Sequence, residues 1–161
     1  MANHGYMKIT GAKQKLISEG CSTQASIGNK CQASHADEVM VLAYSHTMAN
    51  IGNIKKATHS PIIITKFVDK SSPLLAQALA SQEELTCVID LYRVASSTQH
   101  SKFFTVEITG GLLVDLTLDI PHALTHHDAE PQELLALRYR DIRWTHHTAG
   151  TTGYSFWSSD E

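Results

Sequence analysis

From Phe104 to Ile120 the chain reads FTVEITGGLLVDLTLDI. Its even positions are apolar or glycine: Phe104, Val106, Ile108, Gly110, Leu112, Val114, Leu116, Leu118 and Ile120. Glu107, Thr109, Asp115, Thr117 and Asp119 fall on odd positions. A period of two belongs to a strand whose successive side chains face opposite ways, so one edge faces an apolar core and the other a polar medium. The segment predicts one long strand, or two strands in line. The Gly110-Gly111 pair marks a bulge or sharp bend, with a hairpin turn as the rival reading. Even positions stay apolar on both sides of the pair, so no change of phase is expected. A long bent strand of a barrel or sandwich is the preferred reading.

The rest of the chain supplies further strands and one clear helix. Tyr6 to Thr10 starts a first strand that ends at Gly11, followed by a polar stretch to Asn29. Val39 to His46 is apolar on both faces, as in a central strand or one covered by another subunit. Ala49 to Ser60 is an extended excursion between strands, long enough to suggest a binding or mobile loop. Pro61 opens the β-branched run IIITKFV. Ser72 and Pro73 form a helix start, and Leu74, Leu75, Ala78 and Leu79 give it one apolar stripe ending near Ser81 or Gln82. Leu85 to Val94 is another strand, and Ala95 to Ser101 a polar connection. Pro121 closes the long strand, and His122 to Gln132 reads as a loop.

A last sheet segment runs from Glu133 to His147. Leu135, Leu137 and Tyr139 share one parity while Ile142 and Trp144 share the other, which predicts a bulge near Arg140 or Asp141. Tyr154, Phe156 and Trp157 in the tail are costly to leave wet. They should fold back onto the domain or meet a partner.

Composition narrows the function classes. At 161 residues with a formal charge of −3 and 18% charged residues, the chain is sized for one domain, taken as 1–161. It carries no basic field for nucleic acid or an anionic membrane. The N-terminal MANHGYMKITGAKQK lacks a signal core, and no apolar run is long enough to insert stably in a bilayer, so folding in the cytoplasm is expected. Cys21, Cys31 and Cys87 are odd in number and make no complete disulfide framework; Cys87 fits a buried strand position.

Candidate chemistry is thin. His122, His126, His127, His146 and His147, with Asp128 or Glu130, offer metal donors, but without an HExxH helix or thiolate set, and adjacent strand histidines point to opposite faces. Asp115 and Asp119 lie about 13 Å apart on an extended strand, beyond the about 5 to 9.5 Å of a glycosidase pair. Ser45, His46 and Asp90 hold the residue types of a triad with no spacing to support one. Lys55-Lys56 suits a phosphate or, more simply, solvent. The sequence therefore assigns no catalytic residue, no cofactor site and no metal site, and the chain is not expected to be an enzyme. Apolar positions on both strand faces point instead to self-assembly.

Several long motifs resemble one family. They are ITGAKQKLISEGCSTQASIGNK at Ile9 to Lys30, SHADEVMVLAYSH at Ser34 to His46, TKFVDKSSPLL at Thr65 to Leu75, IPHALTHHDAEPQE at Ile120 to Glu133, and DIRWTHHTAGTTGYSFW at Asp141 to Trp157. The chain resembles the Hcp family, the haemolysin-coregulated tube proteins of type VI secretion. The resemblance implies a mainly β fold: a small antiparallel β-barrel of two packed sheets with one short α-helix and an extended inter-strand loop. It implies a homo-hexamer whose rings stack into the secretion inner tube, with sheath, spike and baseplate proteins and small effectors as partners. It also implies release outside the cell or into target cells without a cleaved signal peptide. Under it, Ala49 to Ser60 reaches toward neighbouring subunits or rings, Asp69 to Leu75 is a structural helix entry, and the His126-His127-Asp128 loop and His146 to Trp157 tail are assembly elements. Cys31 stands where many relatives carry a larger residue. The alternative is a ligand- or peptide-binding β-barrel adaptor that forms no tube.

Overall fold

The computed structural model describes residues 4–30, 33–52, 55–94, 100–126 and 130–157. The alternating segments are strands: β1 (His4–Gly11), β2 (Lys15–Leu16), β3 (Val39–Ser45), β4 (Met48–Ala49), β5 (Thr58–His59) and β6 (Ile62–Phe67). They continue as β7 (Leu85–Val94), β8 (His100–Asp119), β9 (Gln132–Arg138), β10 (Asp141–His146) and β11 (Thr151–Phe156). A single turn, α1 (Gln24–Ile27), lies in the polar stretch after β2, and the ten-residue α2 (Ser72–Ser81) is the helix read from the leucine stripe.

Strand β8 organises the pairing. Its first half lies between β7 and β10, and its second half pairs with β9. The order β8-β7-β1-β3-β6-β9 therefore returns to β8, while β10 and β11 extend from its first half. All these pairings are antiparallel. The excursion after β3 is not bare loop, because β4 and β5 form their own small ladder.

The expected phase of β8 does not hold. Gly110 has φ of 64°, and a Cβ there would lie 2.7 Å from Cβ of Arg140, so only glycine fits both the left-handed backbone and the close approach. The register against β7 slips between Leu85 and Cys87, opposite Gly111 and Ile108. Burial then moves to the odd positions: Gly111 and Leu113 are buried, whereas Val114 is 47% exposed. A second slip, between Leu113 and Asp115 against β9, returns Leu116 to the core side. Each extra residue turns the following side chains to the other face.

The segment opposite bends at the same place. Glu133 to His147 is two strands meeting at Tyr139-Arg140, not one strand with a bulge, and the Arg140 amide donates to the Thr109 carbonyl at 3.1 Å. Leu135, Leu137 and Tyr139 point inward from β9 and the corner, and Ile142 from β10, as their two parities require.

Inside the ring of strands, Met7, Ile9, Val39, Ile62, Ile64, Leu85, Cys87, Ile89, Val106 and Ile108 form one buried cluster. Helix α2 adds Leu75 and Ala78 to it, with Leu74 and Leu79 only partly buried. Full burial of one leucine contributes about 1.5–3 kcal/mol, which fixes the helix on the sheet. Ser72, read as the capping residue of the helix start, is already inside the helix. Ser71 occupies the cap position, and its amide donates to Oδ1 of Asp69 at 2.9 Å, while Oγ of Ser72 accepts the Asp69 amide at 2.9 Å. The helix ends at Gln82, whose φ is 53°. Glu83 beyond it accepts the Lys13 and Gln14 amides at 3.1 and 2.9 Å, tying the β1–β2 turn to the helix end. Burial alone would raise the Glu83 carboxyl, but these amides hold it below the usual carboxylate value.

Candidate assembly surfaces

Three surfaces carry apolar side chains that the chain does not cover by itself. On the outer face of β6 and β9, Ile63 stands opposite Ala136 and Thr65 opposite Leu134. Across the next ladder Ala136 meets Asp115 and Leu134 meets Thr117. Ile63 and Leu134 are 39% and 40% exposed, in a shallow apolar dish with Asp115 and Thr117 at its side. Past the end of β8, Ile120 is 68% and Leu124 86% exposed. A turn holds Leu124 out: the His126 amide donates to the His122 carbonyl at 2.8 Å.

Strand β11 forms a second surface. It pairs only with β10, so its other edge has open backbone groups among the described strands, and Tyr154 and Phe156 project from it. Asp141 on β10 orients the tyrosine, accepting its hydroxyl through Oδ1 and the Arg140 guanidinium through Oδ2 at 2.8 Å. The hydroxyl and the guanidinium hold the Asp141 carboxyl below its ordinary value. Trp157 turns back instead. Its ring packs against the core and lies under the Arg138 guanidinium at 4.8 Å.

The β4–β5 hairpin is the third surface, and its base is anchored by a buried polar chain. Just before β4, Nε2 of His46 lies 2.8 Å from the Tyr139 hydroxyl; in β5, Nδ1 of His59 lies 2.6 Å from the same oxygen. On the far side Nε2 of His59 meets Oγ of Ser155 in β11 at 3.2 Å. Trp144 lies nearly parallel to His46 and Trp157 to His59. Burial and neighbouring His59 hold the His46 ring below its ordinary value, against a backbone hydrogen bond at Ser60 that pulls the other way. Burial, with Tyr44 adding to it, pushes the Tyr139 hydroxyl up, so it stays a donor. Ile51, near the hairpin tip, is 68% exposed.

A second polar cluster lies inside the fold. Lys66 and Glu133 are fully buried, and Nζ of Lys66 lies 3.0 Å from Oε1 of Glu133, 3.0 Å from Oδ1 of Asp69 and 2.9 Å from the Phe67 carbonyl. Ser72 also donates its hydroxyl to Glu133. Cys21 sits beside this cluster, and burial with the Asp69 charge pushes its thiol up to about 11. The cluster joins β6, β9 and the start of α2. It is a structural tie with no open face.

The family described as "Type VI secretion system effector, Hcp" matches residues 6–146. The chain belongs to the Hcp family. The major exported protein of Pseudomonas aeruginosa is 36% identical over 168 residues, covering 99% of this chain and 98% of that protein. A crystal structure of an Hcp protein has a TM-score of 0.91 at 33% identity, covering 98% of this chain and 99% of the other. The secreted protein Hcp3 from Pseudomonas aeruginosa has a TM-score of 0.85 at 36% identity, covering 98% of this chain and all of its own. Membership makes this Hcp chain a structural, non-enzymatic subunit of the secretion tube.

In the Hcp fold the residues with apparent chemistry separate. His46 bonds Tyr139, while Asp90 accepts the Thr105 hydroxyl at 2.7 Å, so Ser45, His46 and Asp90 form no relay. His146 packs edge-on against Phe103 and Phe104, and Nε2 of His147 meets Oγ1 of Thr105 at 2.6 Å. His127, Asp128 and Cys31 lie outside the described residues. Asp115 and Asp119 are exposed on β8. Sequence reasoning missed the Lys66 and His46–Tyr139–His59 clusters. A lysine at an inward position of β6 was the available signal for the first.

Proposed function

We propose that this Hcp chain closes into six-membered rings that stack into the type VI inner tube, a conduit that carries or stabilises small effectors. Family membership across residues 6–146 carries the reading. The exposed apolar residues support it: Ile63 and Leu134 on the outer face of β6 and β9, and Tyr154 and Phe156 on the edge strand β11 outside the ring, are two different surfaces and suit a head-to-tail contact, which closes when its rotation divides a circle. The hairpin carrying Ile51 suits the axial contact between rings. The whole chain, 1–161, acts as one tube domain, and its returning ring of strands is a small barrel of two packed sheets. The task calls for no catalytic, cofactor or metal residue. Sheath, spike and baseplate proteins surround and cap the tube, and the subunit leaves the cytoplasm with it, without a cleaved signal peptide. The names of its relatives, exported and secreted proteins, support that route.

Light scattering on freshly purified protein, with negative-stain images of the same fraction, tests the reading. A six-chain mass with open rings is expected. A monomer across a wide concentration range would overturn autonomous ring assembly and favour a peptide-binding adaptor.

A further inference from the structure

Strands β3, β6, β9 and the second half of β8 run side by side, and a long connection leaves each end of this four-stranded group. At one end Ser45 pairs with Ile63 and Ile62 with Leu137; there the chain leaves β3 for the β4–β5 hairpin and returns into β6. At the other end Gln132 pairs with both Phe67 and Asp119; there the chain leaves β8 for residues 120–131 and returns into β9. The strand from Leu112 to Asp119 sets the two ends about 23 Å apart.

The two connections are alike in apolar character and opposite in charge. Ile51 is 68% exposed at the hairpin tip, where Gly52 turns the backbone at φ of 79°. Residues 46–60 contain no aspartate or glutamate, and Lys55 is exposed before β5. At the far end Leu118, Ile120 and Leu124 are exposed, the last on the turn closed by the His126 amide and the His122 carbonyl. Residues 119–132 contain no lysine or arginine, and Asp119 is exposed at the end of β8. Glu130 in the same connection is bonded to Lys30 at 2.6 Å. Among the described residues neither Lys55 nor Asp119 enters an ion pair within the chain. Neither end matches itself, because two hairpins would set lysine against lysine and two β8–β9 connections aspartate against aspartate.

We propose that the β8–β9 connection is the seat for the β4–β5 hairpin of a second copy, with Ile51 packing on Ile120 and Leu124 and Lys55 pairing with Asp119. This rests on the tube reading above and names what the hairpin meets at the ring-to-ring contact. The two surfaces differ and lie at opposite ends of one strand group, so a copy that accepts a hairpin still presents its own. Such a contact repeats without closing. Every chain of a ring makes it, so contacts that are weak singly act together.

Cysteine trapping on the full chain tests this. Ile51→Cys and Leu124→Cys combined, with oxidised glutathione, should join chains into a ladder on non-reducing gels that runs past six chains. The unaltered chain, with its own three cysteines, is the blank, and either single variant should stop at pairs. A ladder that halts at pairs or at six chains, or no ladder, would overturn the seat. Charge is read in the same background: Lys55→Glu should slow ladder growth about threefold at low salt, and adding Asp119→Lys should restore it. An unchanged rate in Lys55→Glu would overturn the pairing. Light scattering before oxidation separates the two readings. Six-chain rings that form no ladder refute the seat alone, whereas monomers that form one keep the seat and refute the ring.

Discussion

Two buried polar clusters hold this Hcp chain together, and they are built from opposite materials. Around Lys66 the groups are an ion-pair set: one ammonium lies between the Glu133 and Asp69 carboxylates, and Ser71 and Ser72 donate to the same two oxygens, Oδ1 of Asp69 and Oε1 of Glu133. Around Tyr139 they are imidazole rings and hydroxyls hydrogen-bonded to one another. The first lies under α2 and ties it to β6 and β9. The second lies at the edge and ties a hairpin to a corner. Removing a charge from the first leaves its partners charged and dry, whereas breaking the second leaves only dipoles unsatisfied.

Substitutions can pull this contrast apart. Lys66→Met leaves Glu133 and Asp69 without their shared cation and should cost about 3–5 kcal/mol in urea unfolding; a loss near zero would show the charges to be incidental. Tyr139→Phe keeps the ring and removes the oxygen between the two histidines, with an expected cost of about 1–3 kcal/mol by the same measurement. Equal losses at the two positions would erase the distinction between charged and neutral ties. The smallest change in monomer stability belongs to the outer face. Leu134→Lys should stay within about 0.5 kcal/mol of the parent chain yet reduce the six-chain species in light scattering, because the side chain is half out of the fold and faces the proposed neighbour. A large fall in monomer stability would instead return Leu134 to the core.

The two clusters differ from the strands in how far the chain announced them. Lys66 and Glu133 are 67 residues apart, and His46 and Tyr139 are 93 apart. Each residue is locally bland, a lysine within a β-branched run or a histidine at a strand end. Their meaning comes from pairing β6 with β9 and from turning the chain at Tyr139. The assembly surfaces were half visible. Three aromatics in the tail signalled unspent apolar area, and two of them, Tyr154 and Phe156, remain exposed while Trp157 packs inward. Val114 was assigned to the core by its even number and is exposed, because the unpaired residue of a bulge follows neither face.

Local properties of the chain determined the longer strands, where α2 runs and that one long strand bends at Gly110, but not the short β4–β5 ladder or β11, which read as a loop and a tail. Period-two alternation, β-branched runs, a proline after serine and a glycine pair act within a few residues, so they survive without knowledge of the fold. Tertiary structure alone decided which side of β8 faces inward after the bend. That choice rests on Arg140 filling the space over Gly110 and on β9 taking up the second half of the strand. It also decided that buried charges meet under α2 and that two histidines share one tyrosine. Such contacts form between segments far apart in sequence, where spacing carries no signal and only the closing of the sheet brings the groups within hydrogen-bond reach.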